Sequence, residues 1–359
     1  AYSFHNYQEL AVYVMQEARG PRIFKREEFA DRLGISSYKL DQILQDIAYD
    51  ADSINVDFSY YLDATNSWRK PLVRLDADTY FCLDGRMEGY AFYEAMFQII
   101  FARYGTVFSK YQGERLEEMV YQMFREKHFP YITGQYLPDG DLPERNCDMI
   151  LEGSERVMFV EIKKCPLPGS YEQADDVDVL KTLGEGMLYA QEQILWHKLR
   201  LKEKGALVLY DKERNYLQDY TPGKKKIIAM SICMPEYDFL TDRMMTETFL
   251  ESTLRVTYHA IDPSREKVLN KLNKRVANIQ MVTARLFAGE KYTTRDVFFD
   301  SMFRSLQQVW TMLRMCDSLD MFLDMCDTQL VVITGAGDVY VDILSALHLH
   351  QSRSNKSLV

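Results

Sequence analysis

The sequence predicts an α+β protein in which helices flank a central mixed sheet and a mostly helical region follows. Between residues 105 and 235, helical apolar spacing alternates with short apolar strands that are bounded by turn residues. From residue 236 onward, long amphipathic stretches prevail, with one late strand expected at "TQLVVIT". Near the start, two helical patterns and a hairpin pattern predict a separate small domain. We therefore predict three domains, at 1–86, 87–235 and 236–359.

Composition narrows the classes of function. The net charge of −10 and the pI of about 5.3 argue against unspecific coating of nucleic acid, although a local basic groove is compatible with them. No apolar run reaches the length of a membrane span, and the first residues lack the basic and apolar regions of a signal peptide. The 6 cysteines form no C-x-x-C pair, which favours free thiols over a zinc site. We expect a cytoplasmic protein without a membrane partner.

The N-terminal pattern predicts two helices and a β-hairpin. In residues 24–48, "FKREEFADRLGISSYKLDQILQDIA", Gly34 separates two helical patterns and the serines after it can cap the second. Residues 70–83 predict a hairpin that turns at "DAD". This succession resembles a winged helix, which often binds DNA. The second helix carries Lys39 as its one basic residue, so a structural or protein-docking role is favoured over contact with DNA.

A second hairpin is predicted at residues 147–164, "CDMILEGSERVMFVEIKK", and it contains the candidate catalytic residues. Glu161 and Lys163 share one face of its second strand because strand side chains alternate. If the turn is even-numbered and centred on Gly153 and Ser154, Asp148 lies opposite Phe159, on the same face. Its diagonal distance to Glu161 is then about 7–8 Å, within reach of one shared ion. An odd turn would place Asp148 on the wrong face.

The order helix, strand, hairpin, helix, strand, with an acid before the turn and E-x-K at its exit, resembles the PD-(D/E)xK nuclease superfamily. The resemblance covers roughly residues 105 to 235, less than half of the chain, and its motifs are short. It implies a restriction-endonuclease-like core and hydrolysis of phosphodiester bonds, mostly in DNA, with Mg²⁺ or Mn²⁺. It further implies that Asp148 and Glu161 bind the metal and that Lys163 is the catalytic lysine.

Two helices flank the hairpin, and the resemblance implies site residues on both. Many family members carry G-x-x-[apolar]-E on the preceding helix, and "GERLE" at residues 113–117 fits this pattern. Glu117 is therefore implied as a further metal ligand. The helix after the hairpin often carries a glutamine, for which we favour Gln191 and keep Gln193 as the alternative.

One departure from the family pattern concerns the first acid. The proline-aspartate of the family is Cys147-Asp148 here, whereas a literal Pro138-Asp139 lies upstream in "LPDGDLP". Proline, glycine and alternating acids are typical of a turn, and no apolar strand follows Asp139 directly. We therefore favour Asp148 over Asp139.

Two groups of basic residues are candidates for contact with nucleic acid. One is a run at a loop-to-strand junction, formed by Lys224, Lys225 and Lys226. The other is a row at helical spacing, formed by Lys267, Lys271 and Lys274.

The functional expectation is a metal-dependent endonuclease, and by resemblance a restriction or anti-phage defence effector. Its expected partners are DNA and further subunits, either in a homo-oligomer or in a multi-subunit defence complex. The alternative is a catalytically inactive nuclease fold that serves as a binding or scaffold subunit with a winged-helix regulatory module.

Overall fold

Two mixed β-sheets organise the computed structural model, which describes residues 2–56, 58–59, 69–85, 88–165, 175–253, 255–331 and 334–356. Within these residues the chain has 12 helices and two sheets, so the predicted mixed α+β class is confirmed. The chain divides into two compact units, residues 1–111 and 112–359. No helix in the described part of the chain is both long enough and apolar enough to cross a membrane.

The first unit contains a four-stranded sheet in the order β1-β4-β3-β2. The predicted helix pair is present, and Gly34 ends its first helix in the left-handed region, with φ of 58°. The predicted hairpin is β3–β4, with the amide of Asp78 donating to Oδ1 of Asp76 at 2.8 Å. The winged-helix fold itself stays a prediction. The elements are α1 (Phe4–Glu17), β1 (Arg22–Lys25), α2 (Arg26–Leu33), α3 (Ser37–Ile47), β2 (Ala48–Asp50), β3 (Leu72–Arg74) and β4 (Thr79–Cys82).

The second unit is built on a seven-stranded sheet in the order β11-β10-β7-β6-β5-β8-β9. β7, β10 and β11 run parallel, and the remaining neighbours are antiparallel. The strands are β5 (Ile132–Tyr136), β6 (Arg145–Glu152), β7 (Arg156–Lys163), β8 (Leu207–Tyr210), β9 (Tyr216–Tyr220), β10 (Lys226–Cys233) and β11 (Ser301–Ser305).

Helices α4 to α12 complete the described chain. α4 is interrupted at Gly105, where φ is 52° and ψ is −130°. A π-helical turn, Gly184–Leu188, joins α5 to α6. The helices are α4 (Gly89–Glu126), α5 (Asp176–Leu183), α6 (Tyr189–Lys204), α7 (Arg243–Thr253), α8 (Glu266–Leu286), α9 (Thr294–Phe298), α10 (Leu306–Arg314), α11 (Leu319–Gln329) and α12 (Val339–Lys356).

Alternation along β7 separates its two rows of side chains. Met158 and Val160 enter a core that they share with Leu116 and Val120 of α4. Val157 and Phe159 enter another core, which includes Ile194 of α6. A slip by one residue would exchange the two rows and would move Glu161 and Lys163 to the opposite face. The row of Phe159 continues with the two charged residues at the end of the strand.

Two predicted elements after residue 236 were wrong. The described start of "TQLVVIT", Thr328 and Gln329, ends helix α11 instead of forming a strand, and residues 332–333 lie outside the described chain. Conversely, β11 lies in a stretch that we predicted to be helical. All five of its residues are buried and it pairs with β10, and its polar residues, Ser301, Arg304 and Ser305, are divided between the two faces, so no apolar–polar alternation marks the strand. β11 brings residues of the predicted C-terminal region into the central sheet.

Candidate functional site

The hairpin β6–β7 places Asp148 closer to Glu161 than we expected. Its pairing runs from Met149 opposite Val160 to Glu152 opposite Val157, which leaves a four-residue turn. The even turn is as expected, but its centre is one residue further along the chain. Continuing this register places Asp148 opposite Glu161 instead of opposite Phe159. The expected pairing with Phe159 was therefore wrong by two residues, whereas the shared face was right.

A bulge in β6 explains how Asp148 reaches the end of β7. Toward β5, Ile132 pairs with Ile150 and Gly134 pairs with Cys147, so one extra residue lies in β6 between these pairs. Bulges bend a strand and redirect its side chains, and they are frequent beside functional sites. Here the redirected carboxylate accepts a hydrogen bond from the backbone N–H of Ile162, at 2.8 Å from Oδ2.

Three oxygen atoms surround the ammonium group of Lys163. Nζ lies 2.9 Å from Oε2 of Glu161, 3.1 Å from Oδ2 of Asp148 and 3.3 Å from the carbonyl oxygen of Ile162. The side chain of Glu161 is fully buried, and those of Asp148 and Lys163 are 11% and 12% exposed. The hairpin thus gathers two carboxylates and one carbonyl around a single cation, with a narrow opening to solvent.

Burial and mutual charge set the protonation of this cluster. Burial, together with the charge of Glu161, raises the pKa of Asp148 to about 7. Burial also acts on Glu161, but the charge of Lys163 and a hydrogen bond from His197 outweigh it and lower the pKa to about 2. Burial would lower the pKa of Lys163, yet the two carboxylates raise it above its ordinary value. Glu161 is therefore ionised and Lys163 protonated, while Asp148 titrates near neutral pH.

Helix α4 borders the cluster. Glu117 is partly buried, and burial raises its pKa, while the charges of Lys212 and Lys163 act in the opposite direction. One turn later, the hydroxyl of Tyr121 donates to the carbonyl oxygen of Asp148 at 2.9 Å. Among the described residues, no group of three or more Asp, Glu, His or Cys side chains is arranged to hold a metal ion. Glu117 therefore lies at the edge of the site and does not complete a set of three carboxylates.

The two glutamines of α6 point to different neighbours. Gln191 is buried and its Oε1 accepts from the hydroxyl of Ser301 in β11 at 2.9 Å. Gln193 shares a helix face with Tyr189 and His197, which lie four residues before and after it. Its Oε1 is buried, with no hydrogen-bond partner among the described residues. The geometry thus favours Gln193, the alternative, over Gln191, which we had placed first.

His197 and Tyr136 belong to the site although no sequence pattern predicted them. Nε2 of His197 lies 2.8 Å from Oε1 of Glu161, and the hydroxyl of Tyr136 lies 3.0 Å from Nδ1 of His197. All three side chains are buried. Since ionised Glu161 can only accept, Nε2 of His197 carries a proton and donates it to Oε1. The one sequence signal was a histidine two helical turns after Tyr189, and it could not show which face of the helix packs on the sheet.

Tyr189 connects the cluster to helix α8. Nζ of Lys163 lies 5.2 Å from the centre of the Tyr189 ring, and the guanidinium carbon of Arg275 lies 4.0 Å from the same centre. Arg275 also donates to Glu192 at 3.1 Å. The exposed row on α8, Lys267, Lys271 and Lys274, therefore lies on a helix that packs directly beside the site.

The other predicted basic residues differ in their surroundings. Lys225 pairs with Glu152, and Lys226 pairs with Asp327, so both are already neutralised within the fold. Lys224 is exposed at the same junction. Lys39 is exposed on α3 of the first unit.

Asp139 lies in a turn outside the cluster. Its carboxylate is exposed and pairs with Lys204, with Nζ at 2.7 Å from Oδ2. Its backbone forms an isolated bridge with Leu142. Asp148, and not Asp139, is therefore the acid that the hairpin brings to Glu161.

The donor set around Lys163 suits a small hard cation. Mg²⁺ prefers oxygen ligands, uses one or two carboxylates and keeps several waters. Asp148, Glu161 and the carbonyl of Ile162 provide two carboxylates and one further oxygen at a point where a positive charge is already held. These donor types fit Mg²⁺ or Mn²⁺, whose coordination would be completed by waters or substrate oxygens, since the described residues place no third carboxylate in the set.

No protein-family model, curated protein or solved structure matches the chain. The resemblance to PD-(D/E)xK nucleases therefore stays a prediction that rests on the sequence pattern.

Proposed function

We propose that the chain is a cytoplasmic, metal-dependent nuclease of restriction-endonuclease-like fold that hydrolyses phosphodiester bonds, with DNA as its main substrate. The observation that carries the proposal is the convergence of Asp148, Glu161 and the Ile162 carbonyl on the ammonium of Lys163. The two carboxylates and the carbonyl supply oxygen ligands for a cation, and the lysine supplies a proton donor beside them.

Each residue of the cluster has a role in this proposal. Asp148 and Glu161 would hold Mg²⁺ or Mn²⁺, and Glu117 borders the site from α4. The ion would supply a water of lowered pKa and neutralise charge on the phosphate under attack. Lys163 would orient the attacking water and donate to the phosphate. Gln193 would contact the water or the phosphate from α6, since its Oε1 has no partner among the described residues.

The exposed basic row of α8 supports a nucleic-acid substrate. Lys267, Lys271 and Lys274 form an electrostatic track for a phosphate backbone, on the helix whose Arg275 packs against Tyr189 at the site. The overall charge of −10 limits unspecific binding. It suits an effector that gains access to DNA through a partner, such as a homo-oligomer or a multi-subunit defence complex.

The second candidate function is a catalytically inactive nuclease fold that acts as a binding or scaffold subunit. The observation that favours it is that the ammonium of Lys163 already pairs with both carboxylates, while the described chain offers no third acid within the set. In this case the first unit would act as a winged-helix regulatory module.

A cleavage assay separates the two candidates. The full chain is incubated with plasmid, single-stranded DNA or RNA in the presence of Mg²⁺ or Mn²⁺. Cleavage by the wild type is expected to disappear in Lys163→Ala and Glu161→Gln and to persist in the matched control Lys164→Ala. Cleavage that persists in all three variants would contradict the proposed site. No cleavage of any substrate, with Mn²⁺ binding also absent, would favour the inactive candidate.

A further inference from the structure

The two oxygens of Glu161 serve different partners. Oε1 lies 2.8 Å from Nε2 of His197, and Oε2 lies 2.9 Å from Nζ of Lys163. The side chain is fully buried, and each of its oxygens has one of these partners. His197 thus leaves one oxygen of Glu161 facing the cation site.

His197 is itself held in place. The hydroxyl of Tyr136 fixes Nδ1 at 3.0 Å, and the ring packs against Tyr136 and Phe159, with centroid distances of 5.6 and 5.4 Å. An imidazole that is hydrogen-bonded at both nitrogens and closely packed resists rotation. Glu161 therefore cannot turn to present both oxygens without breaking a buried hydrogen bond.

Metal ions differ in whether they bind one or both oxygens of a carboxylate. Ca²⁺ takes six to eight oxygen ligands and often binds both oxygens of a carboxylate, whereas Mg²⁺ needs near-octahedral geometry and keeps several waters. Mn²⁺ likewise occupies octahedral oxygen sites. A glutamate limited to one oxygen thus favours the smaller octahedral ions.

We propose that His197 is a positioning residue that sets metal selectivity: by occupying Oε1 of Glu161, it favours Mg²⁺ and Mn²⁺ over Ca²⁺. This inference rests on the metal site of the proposed function. Hydrogen-bond partners of metal ligands typically contribute about 10–100-fold to affinity, so the effect is large enough to measure.

The test is calorimetric titration of the full chain with Mn²⁺ alone and with Ca²⁺ alone. In His197→Phe, the ratio of the Ca²⁺ to the Mn²⁺ dissociation constant is expected to fall by roughly tenfold. In His197→Gln, whose amide nitrogen can replace Nε2 as the donor, the ratio is expected to return toward that of the wild type. A structural defect alone would weaken both ions together and leave the ratio unchanged.

Each outcome has a defined meaning. An unchanged ratio in His197→Phe overturns the inference, and so does a ratio that falls in both variants, because the hydrogen bond would then not be responsible. If His197→Phe does not fold, Tyr136→Phe frees the imidazole to rotate and must lower the ratio; an unchanged ratio there also overturns the inference. Absence of binding of either ion to the wild type contradicts the metal site of the proposed function instead.

Discussion

The backbone N–H of Ile162 donates a 2.8 Å hydrogen bond to Oδ2 of Asp148, which ties the carboxylate of one hairpin strand to the end of the other. The same oxygen lies 3.1 Å from the ammonium of Lys163. Because Ile162 lies between Glu161 and Lys163, this bond fixes the acid of β6 at the point where both charged residues of β7 emerge. The oxygens of the site are therefore arranged by the backbone, and not only by the cation that they surround.

Replacement of Lys163 by methionine should separate metal binding from cleavage. In the metal-free protein the ammonium lies among the oxygens that would hold the ion, so it has to move aside when the ion binds. A unit charge at 4 Å contributes about 4 kcal/mol at an effective dielectric constant of 20. Lys163→Met is therefore expected to bind Mn²⁺ at least about tenfold more tightly, as measured by calorimetry, while it loses cleavage. Lys164→Met is the control and should leave Mn²⁺ affinity unchanged. Weaker Mn²⁺ binding by Lys163→Met would show that the ion and the ammonium do not compete.

Asp148 should make the metal-free protein less stable as the pH rises. Its pKa is raised from an ordinary value of 3.8 to about 7 in the folded state. Stability from this group is thus fully present below 3.8 and is lost as the pH rises toward 7, by roughly 1.4 kcal/mol for each pH unit. Asp148→Asn removes this loss. In chelator, its free energy of unfolding should equal that of the wild type near pH 4 and exceed it near pH 7.

The control for this pH dependence is Asp139→Asn. Asp139 is exposed and pairs with Lys204, which lowers its pKa, so its contribution has the opposite sign. Denaturant titrations at several pH values would measure the free energy of unfolding of both variants. A constant difference between Asp148→Asn and the wild type across this pH range would contradict the assignment.

The same two variants should differ in cleavage. Asp148→Asn removes a proposed metal ligand, and the loss should exceed the 10–100-fold that is typical for partners of ligands, so we expect at least about 100-fold. Asp139→Asn should retain the wild-type rate, because its carboxylate lies outside the cluster. Initial rates on plasmid DNA at fixed Mn²⁺ would decide between them, and equal losses in both variants would reject Asp148 as the specific ligand.

Gln193 and Gln191 should have different effects when replaced by alanine. Gln193→Ala is expected to lower the cleavage rate by at least about tenfold, since Gln193 lies one helical turn from both Tyr189 and His197 and its buried Oε1 has no partner among the described residues. Gln191→Ala removes the bond to Ser301 and should instead lower the free energy of unfolding by about 1 kcal/mol, because the buried hydroxyl loses the closer of its two acceptors and keeps Oδ1 of Asp300 at 3.3 Å. Rates and denaturant midpoints of both variants measure the difference, and a reversal of the two effects would restore our first choice.

The hairpin could be predicted from the sequence because its information is local. Alternation in β7 puts Glu161 and Lys163 on one face, and any even turn adds Asp148 to that face. The exact register depends on where a bulge lies, and a bulge in β6 depends on its pairing with β5, which is distant in sequence.

The partners from α6 could not be predicted in the same way. Gln191 and Gln193 lie two residues apart and so point to nearly opposite sides of the helix. Which of the two glutamines lies at the site depends on how α6 packs against β7, and no short motif encodes that packing. His197 needed the same information, and it lies outside the family pattern altogether. β11 was missed because a strand buried on both faces has no periodicity to distinguish it from a buried helix.

The basic row of α8 should determine how DNA binding depends on salt. Each lysine that contacts a phosphate contributes about one unit to the slope of log affinity against log salt concentration. Replacing Lys267, Lys271 and Lys274 by alanine should therefore reduce the slope by about three units and weaken binding uniformly across sequences. Lys225 and Lys226 pair with Glu152 and Asp327, so their replacement should change the slope much less. Fluorescence anisotropy with labelled duplexes over a range of salt concentrations measures both, and a larger effect of the paired lysines would place the track at the start of β10 instead.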